Sequence, residues 1–406
     1  MTDRTHADVA VIGGGISGLA LGYELRKRAG LRVVVLERRY SGSGASSRNV
    51  GRIRAMQLTP ELTRVALLAQ RKHERLTDEL GANTLLWRAG YAWVLYDDAE
   101  VERMAALMPM FRELGVPTPR LHLGRAVERA FPVLRGGEPA AGALVGRDAI
   151  GHHDAVVYAY RRACGRRGVE LAEGEDVVDL LRTGDAVTGV RTNRREILAD
   201  HVVNATDGWA REVSAMAGLD VPNAPVRREV LVTESARPFM SAAVTFYRPV
   251  EGWFNQTLRG ELVAGVVAED EPVAMNQSSS FAFLTRTSAT LMRKAPRLGH
   301  LRMIRQWAGV YDMTPDRKPL VGPVSAAPGF VQMNGYSGRG FALAPLLAEL
   351  LAEWLVGGTR PAVLEPFDPE RFGAGVRADP ESTDYYAGYA RGPGDPPRTP
   401  DGDDPR

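Results

Sequence analysis

The chain has 406 residues, of which 44% are hydrophobic and 25% charged, and this length suits about two domains with their own cores. Its 51 lysines and arginines nearly balance its 49 aspartates and glutamates, so the net charge of +2 predicts no nucleic acid partner and no acidic membrane surface. The single cysteine, Cys164, excludes an intramolecular disulfide framework and a cysteine-rich zinc site, and we predict no metal site.

The first predicted elements form a β-α-β unit. Residues 7–12 and 31–36 are short, valine-rich apolar runs, which predict buried parallel strands. Apolar residues recur at helical spacing between the two runs. A second helix is predicted to begin at Pro60, because proline suits the first helical position.

A glycine-rich loop joins the first predicted strand to the first helix. In it, Gly13, Gly15 and Gly18 fit the G-x-G-x-x-G fingerprint: the first permits a tight turn, the second lets backbone approach a pyrophosphate, and the third lets the helix pack on the strand. Glu37 ends the next strand about 20 residues later, where a carboxylate can bind ribose hydroxyls. NAD and FAD share this fingerprint, so it predicts a dinucleotide without naming it.

Later segments alternate between two kinds of pattern. Residues 199–205 and 330–334 predict further buried strands, and 343–354 predict a final amphipathic helix. Residues 226–310 alternate with the strand period around a helix near 281–294, which is typical of an antiparallel sheet. Nucleotide-binding elements therefore recur at the start, middle and end of the chain, with a different unit inserted between them.

This order predicts an α/β fold with a discontinuous, Rossmann-like nucleotide-binding domain and an inserted α+β substrate domain on an antiparallel sheet. The nucleotide-binding domain is predicted to comprise residues 1–80, 145–222 and 311–372, and the inserted domain residues 81–144 and 223–310. Residues 373–406 are polar and rich in proline, glycine and aspartate, which predicts a disordered tail.

Seven motifs occur in one order along residues 7–372. They are GGGISG, LERRYSGSGASSRNVGRIR, IGHHDAVVYAYRRA, VVNATDGW, WAGVYDMTPDRKPLVG, NGYSGRGFALAP and PFDPERF. With them the sequence resembles the D-amino acid oxidase superfamily of flavoproteins, whose nucleotide domain is glutathione-reductase-like. Within it, the chain is most similar to the sarcosine oxidases, especially the β subunit of the heterotetrameric enzyme, and to glycine oxidases. The resemblance implies non-covalent FAD and oxidation of an amino acid or of an N-methyl or secondary amine by hydride transfer to flavin N5.

The fingerprint and the resemblance together predict a set of cofactor-binding residues. They are Gly13, Gly15, Ile16, Ser17, Gly18, Glu37, Arg38, Gly44, Ala45, Ser46, Arg48, Asn49, Val177, Ala205, Thr206, Trp209, Gly335, Ser337, Gly338, Arg339, Gly340 and Phe341.

Three residues are candidates for the catalytic site. Arg54 matches the family arginine that pairs with the substrate carboxylate, a role that suits a guanidinium; the alternative is a surface salt bridge. Tyr311 matches a family active-site tyrosine, or is a core aromatic with a satisfied hydroxyl. Arg339 is predicted to face the flavin as a second cation, or to bind a helix end.

The electron acceptor is the point on which the chain departs from the family. Gly309 occupies the position of the cysteine that attaches flavin in monomeric sarcosine oxidases, and Ala342 and Val263 stand where lysines occur. A cation near flavin N5 favours electron transfer to oxygen. Three hypotheses follow: an oxidase that uses O2, a β-type dehydrogenase subunit of a heteromeric complex that passes electrons to a partner, and a non-catalytic flavin-binding protein.

His153 matches the β-subunit histidine that carries covalent FMN in the heterotetrameric enzymes. Two alternatives stay open: His152 and His153 cap the helix that follows, or they bind a metal.

Two expectations concern the surface and the location. No apolar run approaches the roughly 18 residues of a membrane span, and no signal peptide is predicted, so we expect a cytoplasmic protein. Adjacent arginines are predicted to lie on solvated faces. These pairs are Arg38-Arg39, Arg161-Arg162, Arg166-Arg167 and Arg227-Arg228.

Overall fold

The computed structural model describes residues 4–268 and 270–372, so the predicted tail lies outside the described residues. The described helices are α1 (Ile16–Ala29), α2 (Pro60–Leu80), α3 (Asp98–Ala106), α4 (Met108–Glu113), α5 (Arg125–Ala130), α6 (His153–Arg167), α7 (Ala210–Met216), α8 (Phe281–Lys294) and α9 (Gly340–Gly357).

Strands occur along the whole of the described chain. They are β1 (Arg4–Ile12), β2 (Val33–Glu37), β3 (Arg52–Ile53), β4 (Tyr91–Leu95), β5 (Arg120–Leu123), β6 (Gly142–Gly146), β7 (Ala149–Ile150), β8 (Glu170–Glu173), β9 (Val177–Thr183), β10 (Ala186–Thr192), β11 (Glu196–Asn204), β12 (Ala224–Ser235), β13 (Ala243–Phe246), β14 (Gly252–Gln256), β15 (Glu261–Val266), β16 (Met303–Met313), β17 (Leu320–Pro323) and β18 (Phe330–Asn334).

The first sheet has the strand order β17-β18-β11-β1-β2-β8, and β9 and β10 extend it as an antiparallel excursion from β11. β1 runs parallel to both β2 and β11, and β18 runs parallel to β11. β1 and β2 have apolar side chains on both faces because both faces are covered: α1, α6 and α9 contribute to the core on one face and α7 lies against the other. The carboxyl ends of β1, β2 and β11 therefore meet at one edge of this sheet.

The second sheet has the order β16-β12-β15-β14-β13-β4-β6-β5. Its longest pairing joins β12 and β16 antiparallel, and α8 packs on its apolar face. β16 belongs to the second sheet and β17 to the first, and only a short turn separates them in the chain. The edges of the two sheets therefore lie close together at this turn. The α/β fold class predicted from the sequence is confirmed, and the second sheet is antiparallel except where β13 pairs with β4 in parallel.

α9 is long and apolar enough to cross a membrane on length and composition alone, which the sequence analysis did not expect. However, 56% of its 18-residue window is buried inside the protein, and it packs against α1 and α2. A helix that is apolar all round is typical of a buried core element. This position explains the composition of α9.

Candidate active site

The glycine loop lies at the carboxyl end of β1, and each key glycine has a steric reason to be glycine. Gly13 has φ +110, and a Cβ there would lie 2.5 Å from the Ala205 carbonyl oxygen at the end of β11. A Cβ on Gly18 would lie 2.0 Å from the Gly13 carbonyl oxygen, so only glycine lets α1 begin this close to β1. A Cβ on Gly15 would approach Ser46 Oγ to 2.9 Å.

Glu37 holds the loop and the end of β2 together. Its Oε2 accepts a hydrogen bond from Gly14 N at 3.0 Å, and its Oε1 accepts one from Arg39 N at 2.9 Å. The carboxylate therefore lies beside the glycine loop, where the fingerprint places a ribose ligand.

The segment from Gly44 to Asn49 lies across the mouth of the glycine loop. Ser46 Oγ accepts a hydrogen bond from Ile16 N at 2.9 Å, which satisfies one free N–H at the start of α1. Arg48 bonds to the Ala308 carbonyl through Nη1 at 3.1 Å, and its own carbonyl accepts from Trp307 Nε1 at 2.9 Å. These bonds fix the segment to β16 and so join the two sheets.

A single cavity of about 490 Å³ runs between these elements, within the range of about 300–1,000 Å³ that is usual for ligand sites. Most of the predicted cofactor-binding residues line it. They are Gly13, Gly15, Ile16, Ser17, Glu37, Arg38, Gly44, Ala45, Ser46, Arg48, Asn49, Val177, Ala205, Thr206, Trp209, Gly338, Gly340 and Phe341. At one end Arg38 stacks on Trp209, with Cζ 4.0 Å from a ring centroid, beside Val177.

Four predicted cofactor-binding residues do not line the cavity: Gly18, Gly335, Ser337 and Arg339. Gly18 packs against Gly13, Gly335 N donates to Asp312 Oδ2 at 2.8 Å, and Ser337 Oγ accepts from Thr314 N at 3.1 Å. Arg339 is directed away from the cavity. Its Nε bonds to Gln57 Oε1 at 3.1 Å and its Nη1 to the Arg317 carbonyl at 3.1 Å.

The opposite end of the cavity is formed by the second sheet, where Tyr311 and Arg228 lie on the wall. Arg228 Cζ lies 5.4 Å from the Tyr311 ring centroid, and the ring packs so closely on Gly338 that a Cβ there would lie 2.4 Å from it. Burial raises the pKa of Tyr311, although the cations Arg228 and Arg52 act in the opposite direction. Tyr311 is therefore a neutral hydrogen-bonding phenol at neutral pH.

Arg54 lies beside this region rather than on the cavity wall. Its Nη1 donates to Tyr91 Oη at 3.2 Å, and its Nη2 donates to Gln57 Oε1 at 3.0 Å. Its guanidinium also stacks on Trp93, with Cζ 4.9 Å from the ring. Arg54 and Arg339 thus share one amide oxygen of Gln57, and the two predicted catalytic arginines are close to each other while Tyr311 faces Arg228.

The comparisons with known proteins agree with this geometry. The family profile described as FAD dependent oxidoreductase (DAO) matches residues 8–354. The chain belongs to this family. Sarcosine oxidase subunit beta of Rhodobacter capsulatus is 28% identical over 381 residues, which are 93% of this chain and 91% of that protein. Glycine oxidase of Pseudomonas aeruginosa is 29% identical over 374 residues, 88% of this chain and 96% of that protein. The crystal structure of L-proline dehydrogenase from P. horikoshii superimposes with a TM-score of 0.85 at 28% identity, covering 91% of this chain and 98% of that one.

The dinucleotide of this oxidoreductase is FAD, and the residues present fit it. The glycine loop and the start of α1 line the cavity, and the backbone of a helix N-terminus suits a pyrophosphate. Glu37 at the end of β2 suits a ribose, and the Arg38–Trp209 stack suits a planar base. Asp207 adds a polar group that the sequence did not predict.

Asp207 and Asp312 are acids next to or beneath this cavity. Asp207 lines the wall with a left-handed backbone, φ 52, and burial raises its pKa to about 7. Burial and the nearby Asp207 raise the pKa of Asp312 well above its ordinary value, while Asn223 Nδ2 donates to Asp312 Oδ2 at 2.6 Å. Neither acid has an ion pair among the described residues, so we expect this pair to retain a proton at neutral pH. No sequence pattern pointed to them.

His153 is the first residue of α6 and does not line the cavity. His152 occupies the N-cap position of this helix, as one alternative expected, but its side chain makes no capping hydrogen bond, and His153 is already helical. The two rings stack at 5.3 Å, and burial lowers the pKa of His153. No group of three His, Cys, Asp or Glu side chains in the described part of the chain is placed to hold a metal ion.

Proposed function

We propose that this FAD-dependent oxidoreductase oxidises the C–N bond of an amino acid, or of an N-methyl or secondary amine that carries a carboxylate. The observation that carries the proposal is one continuous cavity, whose wall includes both the dinucleotide-binding loop and Tyr311 and Arg228 of the second sheet. The similarity of the chain to a sarcosine oxidase subunit and to a glycine oxidase supports this substrate class.

FAD, when bound, supplies the acceptor for the hydride that leaves the carbon next to the amine nitrogen, and the substrate becomes an imine. The protein's residues orient the substrate and exclude water. Trp253, Val230 and Phe341 give the cavity apolar surface, while Tyr311 offers a neutral hydroxyl. Arg54, Tyr311 and Arg339 remain our predicted catalytic set; Arg54 and Arg339 do not line the cavity, and both bind Gln57 Oε1.

The electron acceptor is either O2 or a partner protein. Gly309 lines the cavity without a side chain, and Ala342 and Val263 are buried, so none of the three supplies a cation. We infer a β-type dehydrogenase subunit in a heteromeric complex as the alternative to an oxidase, supported by the likeness to sarcosine oxidase subunit beta and to hydrogen cyanide synthase subunit HcnC of Pseudomonas aeruginosa, which is 26% identical. A non-catalytic flavin-binding protein is a third candidate. The presence of Tyr311 and Arg228 on the cavity wall argues against it.

Anaerobic titration tests the proposal. We expect an amino acid or N-methyl amino acid to bleach the flavin absorption of the purified protein, and a screen of such compounds identifies the substrate. Admission of air then separates the acceptors, because an oxidase reoxidises quickly and forms hydrogen peroxide while a dehydrogenase reoxidises slowly. A protein that binds flavin but is bleached by no amine contradicts the proposed function.

We further propose that His153 carries covalent FMN in a heteromeric assembly. The support is its place at the start of α6, apart from the FAD cavity, with a side chain that is 19% exposed. The mass of the denatured protein, purified with its partner subunits, should then exceed the sequence mass by one FMN, and His153→Asn should remove the increment. An unmodified mass for the wild-type chain contradicts this site.

We infer that the two sheets mark two domains, with FAD held by residues 1–80, 145–222 and 311–372 and substrate by 81–144 and 223–310. The strand membership of the two sheets supports this division. We also propose a cytoplasmic location, supported by the buried, unpaired Cys164, whose thiol donates to the Leu19 carbonyl in the core.

A further inference from the structure

Asp207 is an acidic residue on the wall of the FAD cavity whose side chain the protein itself leaves unsatisfied. It begins the short turn Asp207–Trp209 between β11 and α7, with the left-handed backbone (φ 52) that favours glycine. Its Oδ1 is buried without a hydrogen-bond partner among the described residues. An unpaired buried oxygen and a sparsely populated backbone conformation both cost free energy, and such costs concentrate at ligand sites. Asp207 is therefore a candidate for direct contact with the ligand of this cavity.

Asp207 lies beside the part of the cavity that suits the pyrophosphate. Its neighbour Thr206 packs on the glycine loop, because a Cβ on Gly13 would lie 3.3 Å from Thr206 Cα. Tyr336 marks the other side: its Oη accepts a hydrogen bond from Ser17 Oγ at 3.0 Å, and burial and the nearby Asp207 raise its pKa. Asp207 is thus close to both the glycine loop and the first turn of α1.

A second acid, Asp312 of β16, makes a negative charge on Asp207 more costly. The turn that carries Asp207 packs on β16, where a Cβ on Gly208 would lie 3.1 Å from Val310 Cγ1. Asp312 Oδ1 is also buried without a hydrogen-bond partner in the described part of the chain. Burial raises the pKa of Asp207 to about 7, and burial together with Asp207 raises the pKa of Asp312 well above its ordinary value.

The charged groups that other elements bring to the same wall do not neutralise this pair of acids. Arg48 binds the Ala308 carbonyl, Arg228 of β12 binds the Arg227 carbonyl, and Glu212 of α7 adds a further negative charge to the wall. Over residues 4–268 and 270–372, neither acid of the pair forms an ion pair. The pair therefore depends on protonation rather than on a cation.

The diphosphate of FAD carries negative charge, which an ionised Asp207 beside it would repel. A nearby like charge favours the neutral form of an acid. A neutral carboxyl group is also a hydrogen-bond donor, and a charged phosphate oxygen is a strong acceptor. Protonation of Asp207 and binding of FAD are therefore thermodynamically linked, so that each favours the other.

We propose that Asp207 binds the diphosphate of FAD as a neutral carboxylic acid, and that the Asp207–Asp312 pair takes up a proton from solvent when FAD binds in alkaline solution. This inference concerns the cofactor and does not depend on which amine is oxidised. It follows that the protein holds FAD most tightly at and below neutral pH and releases it more readily as the pH rises.

The pH dependence of FAD release tests the proposal without turnover. The holoprotein is diluted at a series of pH values between 6 and 8.5, and the fluorescence of released FAD gives Kd. We expect Kd to be constant below about pH 7, where the pair is already protonated, and to rise about 10-fold between pH 7 and 8.5. In Asp207→Asn, Kd should stay near its pH 6 value throughout, because the amide donates a hydrogen bond at every pH. Asparagine also tolerates the left-handed backbone.

Two further variants complete the test. Asp176→Asn is the matched control: Asp176 also lines the cavity but is exposed, so the wild-type rise in Kd should remain. Asp207→Gly suits the backbone and serves if Asp207→Asn does not fold; it should bind FAD more weakly at pH 6 and show no rise. A wild-type Kd that does not change with pH overturns the proposal, and so does a rise that either Asp207 variant retains.

Discussion

Replacement of Gly18 with alanine is expected to abolish FAD binding and to lower the stability of the protein by several kcal/mol. The added Cβ would lie 2.0 Å from the Gly13 carbonyl oxygen and 3.1 Å from Val11 Cγ1. The first contact is with backbone of the loop itself, so no side-chain rotation can relieve it. Either α1 moves away from β1 or Gly13 leaves the conformation that faces the pyrophosphate, and overpacking of this kind costs about 1–3 kcal/mol or more.

The flavin content of the purified variant and its thermal unfolding measure the two effects. Gly165→Ala is a matched control, because Gly165 lies inside α6 and a Cβ there meets nothing within 4 Å. In a helix interior this change should be neutral or stabilising by up to about 1 kcal/mol, with full FAD content. A Gly18→Ala protein that purifies with a full complement of FAD would show that the close packing of α1 on β1 is not required.

The glycine loop could be predicted from the sequence because its constraints are local. Gly13, Gly18 and Glu37 belong to one β-α-β unit, and their spacing fixes which atoms meet. The fold class could also be predicted from local sequence patterns, because apolar runs typical of buried strands and an inserted segment with the strand period occur in a recognisable order.

The substrate end could not be predicted in this way, because it depends on which face of a strand a distant segment covers. The pair Arg227-Arg228 was interpreted as a solvated face, yet Arg228 is buried on the cavity wall once β12 pairs with β16. Arg339 was expected to face the flavin or to bind a helix end; it does not line the cavity, and it binds Gln57, nearly three hundred residues away in sequence. Asp207 gave no signal because its burial and its proximity to Asp312 arise only in the folded chain.

The largest expected effect on stability away from the cavity concerns Lys72, which is fully buried among three carboxylates. Its Nζ lies 2.8 Å from Glu24, 2.6 Å from Glu79 and 2.8 Å from Glu349, so it joins α1, α2 and α9 on one face of the first sheet. Lys72→Met removes the buried cation of this cluster and leaves the carboxylates only the more exposed Lys27, Arg28 and Arg75, at 3.2–3.8 Å. Removal of one partner from a buried ionic cluster typically costs about 3–5 kcal/mol, so we expect a loss of this size in the free energy of unfolding at pH 7.

The charge on Lys72 determines how the stability lost in Lys72→Met should change with pH. Burial opposes the charge on Lys72, but Glu24, Glu349 and Glu79 outweigh it and raise its pKa above the ordinary value. The stabilisation by Lys72 is therefore fully present below about pH 10.4, the pKa of an unfolded lysine, and is lost only above it. The deficit of Lys72→Met should be constant from pH 7 to 9 and should shrink toward about pH 4.3, where glutamates protonate.

Urea unfolding of both proteins across this range measures the deficit. Arg75→Met is the control, because Arg75 also binds Glu79, at 3.2 Å, but is 56% exposed, and such surface pairs contribute less than about 1 kcal/mol. Equal losses in the two variants, or a deficit that does not change as the pH falls, would contradict a buried ionic cluster. Because α1 begins at the glycine loop and carries Glu24, the same variant should also bind FAD more weakly, which links the stability of this cluster to the geometry of the cofactor site.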